Sequence, residues 1–118
     1  MTVADDTVFR TMLFDFYGEL LTDKQREYFD LHYNEDLSLA EIASLTGVSR
    51  QAVWDNIRRA EAALRDIEDK VGLVSRFRQQ RQALNEAAAE LSALLANPDG
   101  TVRETARAVM DRLQRIEF

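Results

Sequence analysis

The stretch SLAEIASLTGVSRQAVWDNIRR, from Ser38 to Arg59, limits what this chain can fold into more than any other part of it. Ser38 followed by Glu41 fits a capping box, in which the hydroxyl takes an orphan helical N–H and the carboxylate reaches back to the cap residue. Ile42 and Leu45 then point a short helix inward. Ala43 is small where two helices would cross closely. Gly47 falls where the chain must turn, and a positive φ is cheap only for glycine. Val48 plugs the turn, Ser49 caps a second helix, and Val53 and Ile57 face back to the core. The small residue, the glycine and the apolar plug agree in register. That agreement sets this segment apart from an ordinary helical pair and predicts a helix-turn-helix, motif 38–59.

The rest of the chain also reads as helix. It has only 4 glycines and 1 proline, and helix formers dominate. Thr22 with Gln25 and Thr101 with Glu104 repeat the capping-box pattern. The predicted helices span about 6–20, 23–33, 39–46, 50–71, 74–96 and 102–117. The first carries Val8, Met12, Phe16 and Leu20 on one face. The second carries Tyr28, Phe29 and Leu31.

In the last two helices the apolar positions step by threes and fours. The series are Val74, Phe77, Arg81, Leu84, Ala88, Leu91 and Leu95, then Val102, Ala106, Val109, Leu113 and Ile116. The fourth helix has the same habit at Val53, Ile57, Ala60, Leu64, Ile67 and Val71. These are coiled-coil spacings. The turn Asn97-Pro98-Asp99-Gly100 between the last two helices predicts an antiparallel hairpin. The expected fold is therefore all-α: a helix-turn-helix domain over 1–72, then a C-terminal antiparallel helical hairpin over 73–118. The hairpin stripes either pack within one chain or pack between two. A two-helix appendage has little core of its own, so the hairpin is the expected dimerisation element of a homodimer.

With 118 residues and 46% apolar content, the chain has enough apolar material for a core and does not resemble a disordered acidic tail. It has no cysteine, which excludes disulfides and fits a reducing cytosol. The start, MTVADD, lacks a basic segment followed by an apolar run, and no stretch reaches the roughly 20 apolar residues of a membrane helix. A cytoplasmic protein without membrane insertion is expected. His32 is the only histidine, and its setting, LHYNED, reads as structural. Glu35 and Asp36 read as loop charge near a helix start. No nucleophile–base pair, phosphate loop or metal-ligand cluster is visible, so no catalysis, cofactor or metal is expected.

The net charge of −6 runs against nucleic-acid binding, which draws much of its affinity from neutralised phosphates. The charge is uneven, however. Residues 1–48 hold 3 basic and 10 acidic groups, residues 49–70 hold 5 and 5, and residues 71–118 hold 7 and 6. An anionic partner should meet the chain after residue 48.

Two surfaces qualify. The first is the far side of the second helix of the motif, the side that such units present to a partner. At about 100° per residue, it holds Gln51, Asp55 and Arg58, with Arg50 at the helix start and Trp54 and Arg59 on the flanks. Gln51 suits adenine and Arg58 suits guanine. Asp55 repels phosphate unless it pairs with Arg58 or Arg59 within the helix. Trp54 either packs on a neighbouring helix or stacks on a base. The second surface is KVGLVSRFRQQRQ, where Lys70, Arg76, Arg78 and Arg81 occur with no acid before Glu86. Arginines around an aromatic, here Phe77, suit unpaired RNA. The alternative is a solvated helix face with Phe77 in the core.

Three blocks point further. DFYGELLT (Asp15 to Thr22) with Lys24-Gln25, DLSLAEIA (Asp36 to Ala43) and SRQAVWD (Ser49 to Asp55) occur in that order within about residues 13–78. Together they resemble the YlxM family of small bacterial helix-turn-helix proteins. The pattern EIA…GVSR…V (Glu41 to Val53) is also similar to the DNA-binding region of sigma factors. The family more usually has a tyrosine pair where Leu31-His32-Tyr33 stands, and the alanine-rich tail after about residue 82 carries no family motif. The resemblance implies a role near protein targeting, because the family's gene neighbours that for the protein subunit of the signal recognition particle. It implies as partners the particle RNA, the particle GTPase subunit, or both, and offers no catalytic residues. Two other readings stand beside it: a DNA-binding transcriptional regulator using helix 50–71 for recognition, and a protein-interaction module built on a helix-turn-helix scaffold.

Overall fold

The computed structural model describes residues 3–116, with side chains from residue 6 onward. Met1 and Thr2, read above for a leader, and the predicted end of the last helix at 117 lie outside the described residues. All described secondary structure is helical. Six α-helices follow in order: α1 (Val3–Tyr17), α2 (Asp23–Phe29), α3 (Leu39–Thr46), α4 (Arg50–Val71), α5 (Leu73–Leu94) and α6 (Gly100–Gln114). A 3-10 turn over Gly18–Leu20 extends α1, and a π-helical turn over Asp30–Asn34 extends α2. The chain separates into two compact units, 1–74 and 75–118.

In the first unit α1, α2 and α3 all pack on α4. Leu13, Phe29, Ile42, Val53, Ile57 and Leu64 are fully buried. The predicted caps explain where the helices begin. Thr22 with Gln25 and Ser38 with Glu41 both form complete capping boxes, and Ser49 accepts the Ala52 N–H at 3.1 Å. Each such cap is worth about 1 kcal/mol. Hydrogen bonds from Ser38 hold the exposed Glu41 carboxyl below its ordinary range. Gly47 ends α3 with φ 77°, as its place in the motif required, and Gly72 ends α4 with φ 70°.

Three expectations about faces fail, and one about a helix cap. On α1 the buried side chains are Leu13 and Tyr17, with Leu21 just beyond, whereas Val8, Phe16 and Leu20 are 52%, 40% and 70% exposed. The helix is turned one residue from its predicted phase, because its neighbouring ridge is also apolar. Burying Tyr17 is tolerated because its hydroxyl is satisfied: it donates to Glu68 Oε1 at 2.6 Å and accepts from the Leu73 N–H at 3.2 Å. Leu45 is 69% exposed rather than inward, leaving Ile42 as the buried residue of α3, and Val71 at the C-terminal end of the α4 stripe is 45% exposed. Finally, α6 starts at Gly100. Its cap is Asp99, which accepts from the Thr101 N–H at 2.9 Å, so Thr101 lies inside the helix instead of capping it. The Asp99 carboxylate is the stronger acceptor and reaches the first turn first.

In the second unit the chain reverses at Asn97–Asp99. The Arg103 guanidinium donates to the carbonyls of Asn97 and Pro98 at 2.7 and 2.9 Å and fixes that turn. The helices approach each other only loosely. Among the described residues after Val74, Ala106 alone is buried.

Candidate nucleic-acid interface

Val53, Ile57, Ala60, Leu64 and Glu68 occupy the buried side of α4. That stripe turns the residues between them outward. Arg50, Gln51, Arg58 and Arg59 are exposed, and Asp55 is half-buried. Asp55, Arg58, Arg59 and Ala62 line an open depression. None of Arg50, Arg58 and Arg59 forms an ion pair among the described residues. By contrast, Arg10 pairs with Glu61, and Arg65 lies 3.8 Å from Asp6 and 3.9 Å from Glu61. Arg10 and Arg65 are thus neutralised by acids of α1 and α4, whereas Arg50, Arg58 and Arg59 are not among the described residues.

The pairing expected for Asp55 is not the one found. Its carboxylate accepts from Gln51 Nε2 at 3.1 Å, four residues back on the same helix. No ion pair with Arg58 or Arg59 forms among the described residues. The i,i+4 amide donor lies directly along the helix face, while the arginines extend into the depression. The contact occupies the amide that would read an adenine, and it neutralises no charge.

Trp54 takes the packing role. It is half-buried against the core and meets His32 edge-on, with ring centroids 6.3 Å apart and planes at 76°. His32 Nδ1 lies 2.8 Å from the Leu37 carbonyl oxygen. A carbonyl only accepts, so Nδ1 carries the proton and the ring is fixed as a spacer between Trp54 and Tyr33. Arg10 stacks over Tyr33 at 4.4 Å and closes this aromatic group.

The basic stretch is less unified than its spelling suggests. Lys70 is bound to Asp66 at 3.0 Å on the last turn of α4. It belongs to the first unit, while Arg76, Arg78 and Arg81 belong to the second. Those three arginines are exposed and Phe77 is half-buried. On a helix, Arg78 and Arg81 share a side and Arg76 stands on the other.

Sequence reading missed Glu68. This carboxylate is only 7% exposed. It takes the Tyr17 hydroxyl at 2.6 Å and the Val74 N–H at 3.0 Å, so a side chain of α4 caps the start of α5 across Gly72. The available signal was an acid falling in step with Ile57, Ala60 and Leu64, four residues before a glycine. Among the described residues no cluster of His, Asp and Glu is arranged to hold a metal ion, and no helix is long and apolar enough to cross a membrane.

A capped α3, a left-handed Gly47, a capped α4 and an outward arginine face define a helix-turn-helix protein. The family profile described as "Putative helix-turn-helix protein, YlxM / p13 like" (UPF0122) matches residues 4–97. The chain is 43% identical over 115 residues to a UPF0122 protein of Shouchella clausii, and 45% identical over 115 residues to one of Bacillus mycoides. Each alignment covers 98% of this chain and all of the relative. A UPF0122 protein of Thermoanaerobacter sp. strain X514 is 53% identical over 75 residues, which span 64% of each chain. The chain belongs to this YlxM/p13-like family.

Proposed function

We propose that the chain binds nucleic acid through the outer face of α4, as a regulatory or accessory protein of the signal recognition particle pathway. The observation that supports this most directly is the exposed set Arg50, Arg58 and Arg59, which has no ion-pair partner among the described residues although the chain is acidic overall. Exposed guanidiniums are suited to phosphate, which they bind in two-pronged fashion. Arg78 and Arg81 on one side of α5 supply a second basic surface. The pathway comes from the family resemblance, since the family's gene neighbours that for the protein subunit of the particle. RNA is favoured over sequence-read duplex DNA because the Gln51 amide is occupied by Asp55, which leaves arginine–phosphate contact as the main interaction. The DNA reading keeps one feature of its own: Arg50 stands at the start of the second helix of the motif, the part that enters a major groove in regulators of this type.

Fluorescence anisotropy of the full chain against particle RNA, random duplex DNA and the particle GTPase subunit tests the proposal. Preferred binding to the RNA or the GTPase subunit, weakened by Arg58→Ala with Arg59→Ala, supports it. Preference for a selected DNA site favours the transcriptional reading. Absence of binding to all three overturns it.

A further inference from the structure

The depression on the outer face of α4 holds one acid among its cations. Asp55 and Ala62 are seven residues apart and return to nearly the same side of the helix. Arg58 and Arg59 stand between them along the axis, one to either side of that line, because neighbouring helical residues are about 100° apart. The depression has a volume of about 350 Å³, within the range of small-molecule sites. Gln51, one turn earlier, donates from Nε2 to Asp55 Oδ1 at 3.1 Å. Among the described residues no other hydrogen bond or ion pair reaches Asp55, Arg58 or Arg59. A carboxylate offers about four acceptor positions over its two oxygens, and the glutamine fills one of them.

A phosphate does not settle against this carboxylate, since like charges repel. Whatever rests there must present N–H groups. We propose that the depression takes an unpaired guanine base of single-stranded RNA. Asp55 accepts N1–H and one hydrogen of the 2-amino group, and Arg58 and Arg59 hold the flanking phosphates. This rests on the reading of the outer face of α4 as a nucleic-acid surface and adds what that surface reads.

The edges of the four bases decide the choice. On guanine, N1–H and the 2-amino group point the same way side by side, which suits the two oxygens of a carboxylate as the paired N–H groups of an arginine do. Adenine and cytosine set a ring-nitrogen acceptor beside the amino group, and uracil sets a carbonyl on each side of its one N–H. Each of these brings a lone pair against the carboxylate. In a duplex this edge of guanine is taken up by cytosine, so the base must be unpaired, as in the loops and bulges where RNA sequence is read. Guanidinium planes also stack on such bases. Gln51 is a positioning residue here: its bond to Oδ1 restrains the carboxylate that meets the base.

Fluorescence anisotropy of the full chain, at fixed salt, against short uridine strands with one central position varied tests this. Guanosine at that position is expected to bind about tenfold or more tighter than adenosine, cytidine or uridine, the discrimination of one good bidentate pair. Inosine, which keeps N1–H and lacks the 2-amino group, falls between guanosine and uridine. Asp55→Asn abolishes the guanosine preference and tightens binding to the uridine-only strand, because an acid beside phosphates is removed. A damaged fold would weaken both strands, the opposite sign. Gln51→Leu shrinks the ratio of guanosine to uridine affinity, which a general loss of structure does not move. A parent chain that binds all strands alike, inosine equal to guanosine, or an Asp55→Asn protein that keeps the preference would overturn the proposal while leaving phosphate binding by Arg58 and Arg59 standing. No binding to any strand would overturn the reading of this face as a nucleic-acid surface, and the guanine site with it.

Discussion

Glu68 and Tyr17 show how one buried acid is tolerated and what it does. An uncompensated carboxylate in the core is costly. Here the phenol and the Val74 N–H at the start of α5 supply donors, so the acid caps a helix as it is buried. Among the described residues no buried side-chain polar atom is left without a partner. Burial, then the hydrogen bond to Glu68, raises the Tyr17 pKa above the ordinary 10.0. A tyrosine with a raised folded value contributes stability that is complete below about pH 10 and is lost as pH climbs through that value. Tyr17→Phe should therefore lower stability by about 1–2 kcal/mol at neutral pH and flatten part of the alkaline loss. Tyr33, raised by burial as well, keeps the remainder. Urea titrations between pH 7 and 11 measure both effects. A variant as stable as the parent at pH 7, with the same alkaline slope, would contradict this account of the junction.

At the scale of elements, chemistry written in adjacent residues was legible and chemistry spread between elements was not. The bounds of α3 and α4 follow from Ser38, Glu41, Gly47 and Ser49, whose hydrogen bonds are local. A left-handed Gly47 is likewise a local demand. No atom lies within 4 Å of a methyl group built there, so Gly47→Ala meets only the backbone cost of about 1–2 kcal/mol. Gly47→Asn should lose less. Thermal melts that rank the two the other way would count against the turn as described. The phase of α1 was not legible, because the ridges Val8–Met12–Phe16–Leu20 and Phe9–Leu13–Tyr17–Leu21 are both apolar. The choice between them rests on Glu68, about fifty residues away in the chain. Asp55 was misassigned for a related reason. Three helical neighbours compete for it, and spacing alone does not rank a glutamine amide above two arginines. The Arg50, Arg58 and Arg59 face itself was legible, since it is simply what remains when Val53, Ile57, Ala60 and Leu64 turn inward.

The whole chain is acidic, yet its acid is concentrated before residue 48, and some of the acid beside α4 is taken up by cations, as where Glu61 and Asp6 receive Arg10 and Arg65. On the outer side of α4, Arg50, Arg58 and Arg59 form no ion pair among the described residues. That contrast is the central claim, and the salt dependence of nucleic-acid binding tests it most directly. Affinity of the full chain for single-stranded RNA is measured across a salt series, beside the variant carrying Arg58→Ala and Arg59→Ala. Each phosphate contact contributes about 0.7 to the logarithmic slope on a single strand. The account predicts a steep slope for the parent and a slope shallower by about 1–1.5 for the variant. Equal slopes in the two proteins, or binding indifferent to salt in both, would contradict it.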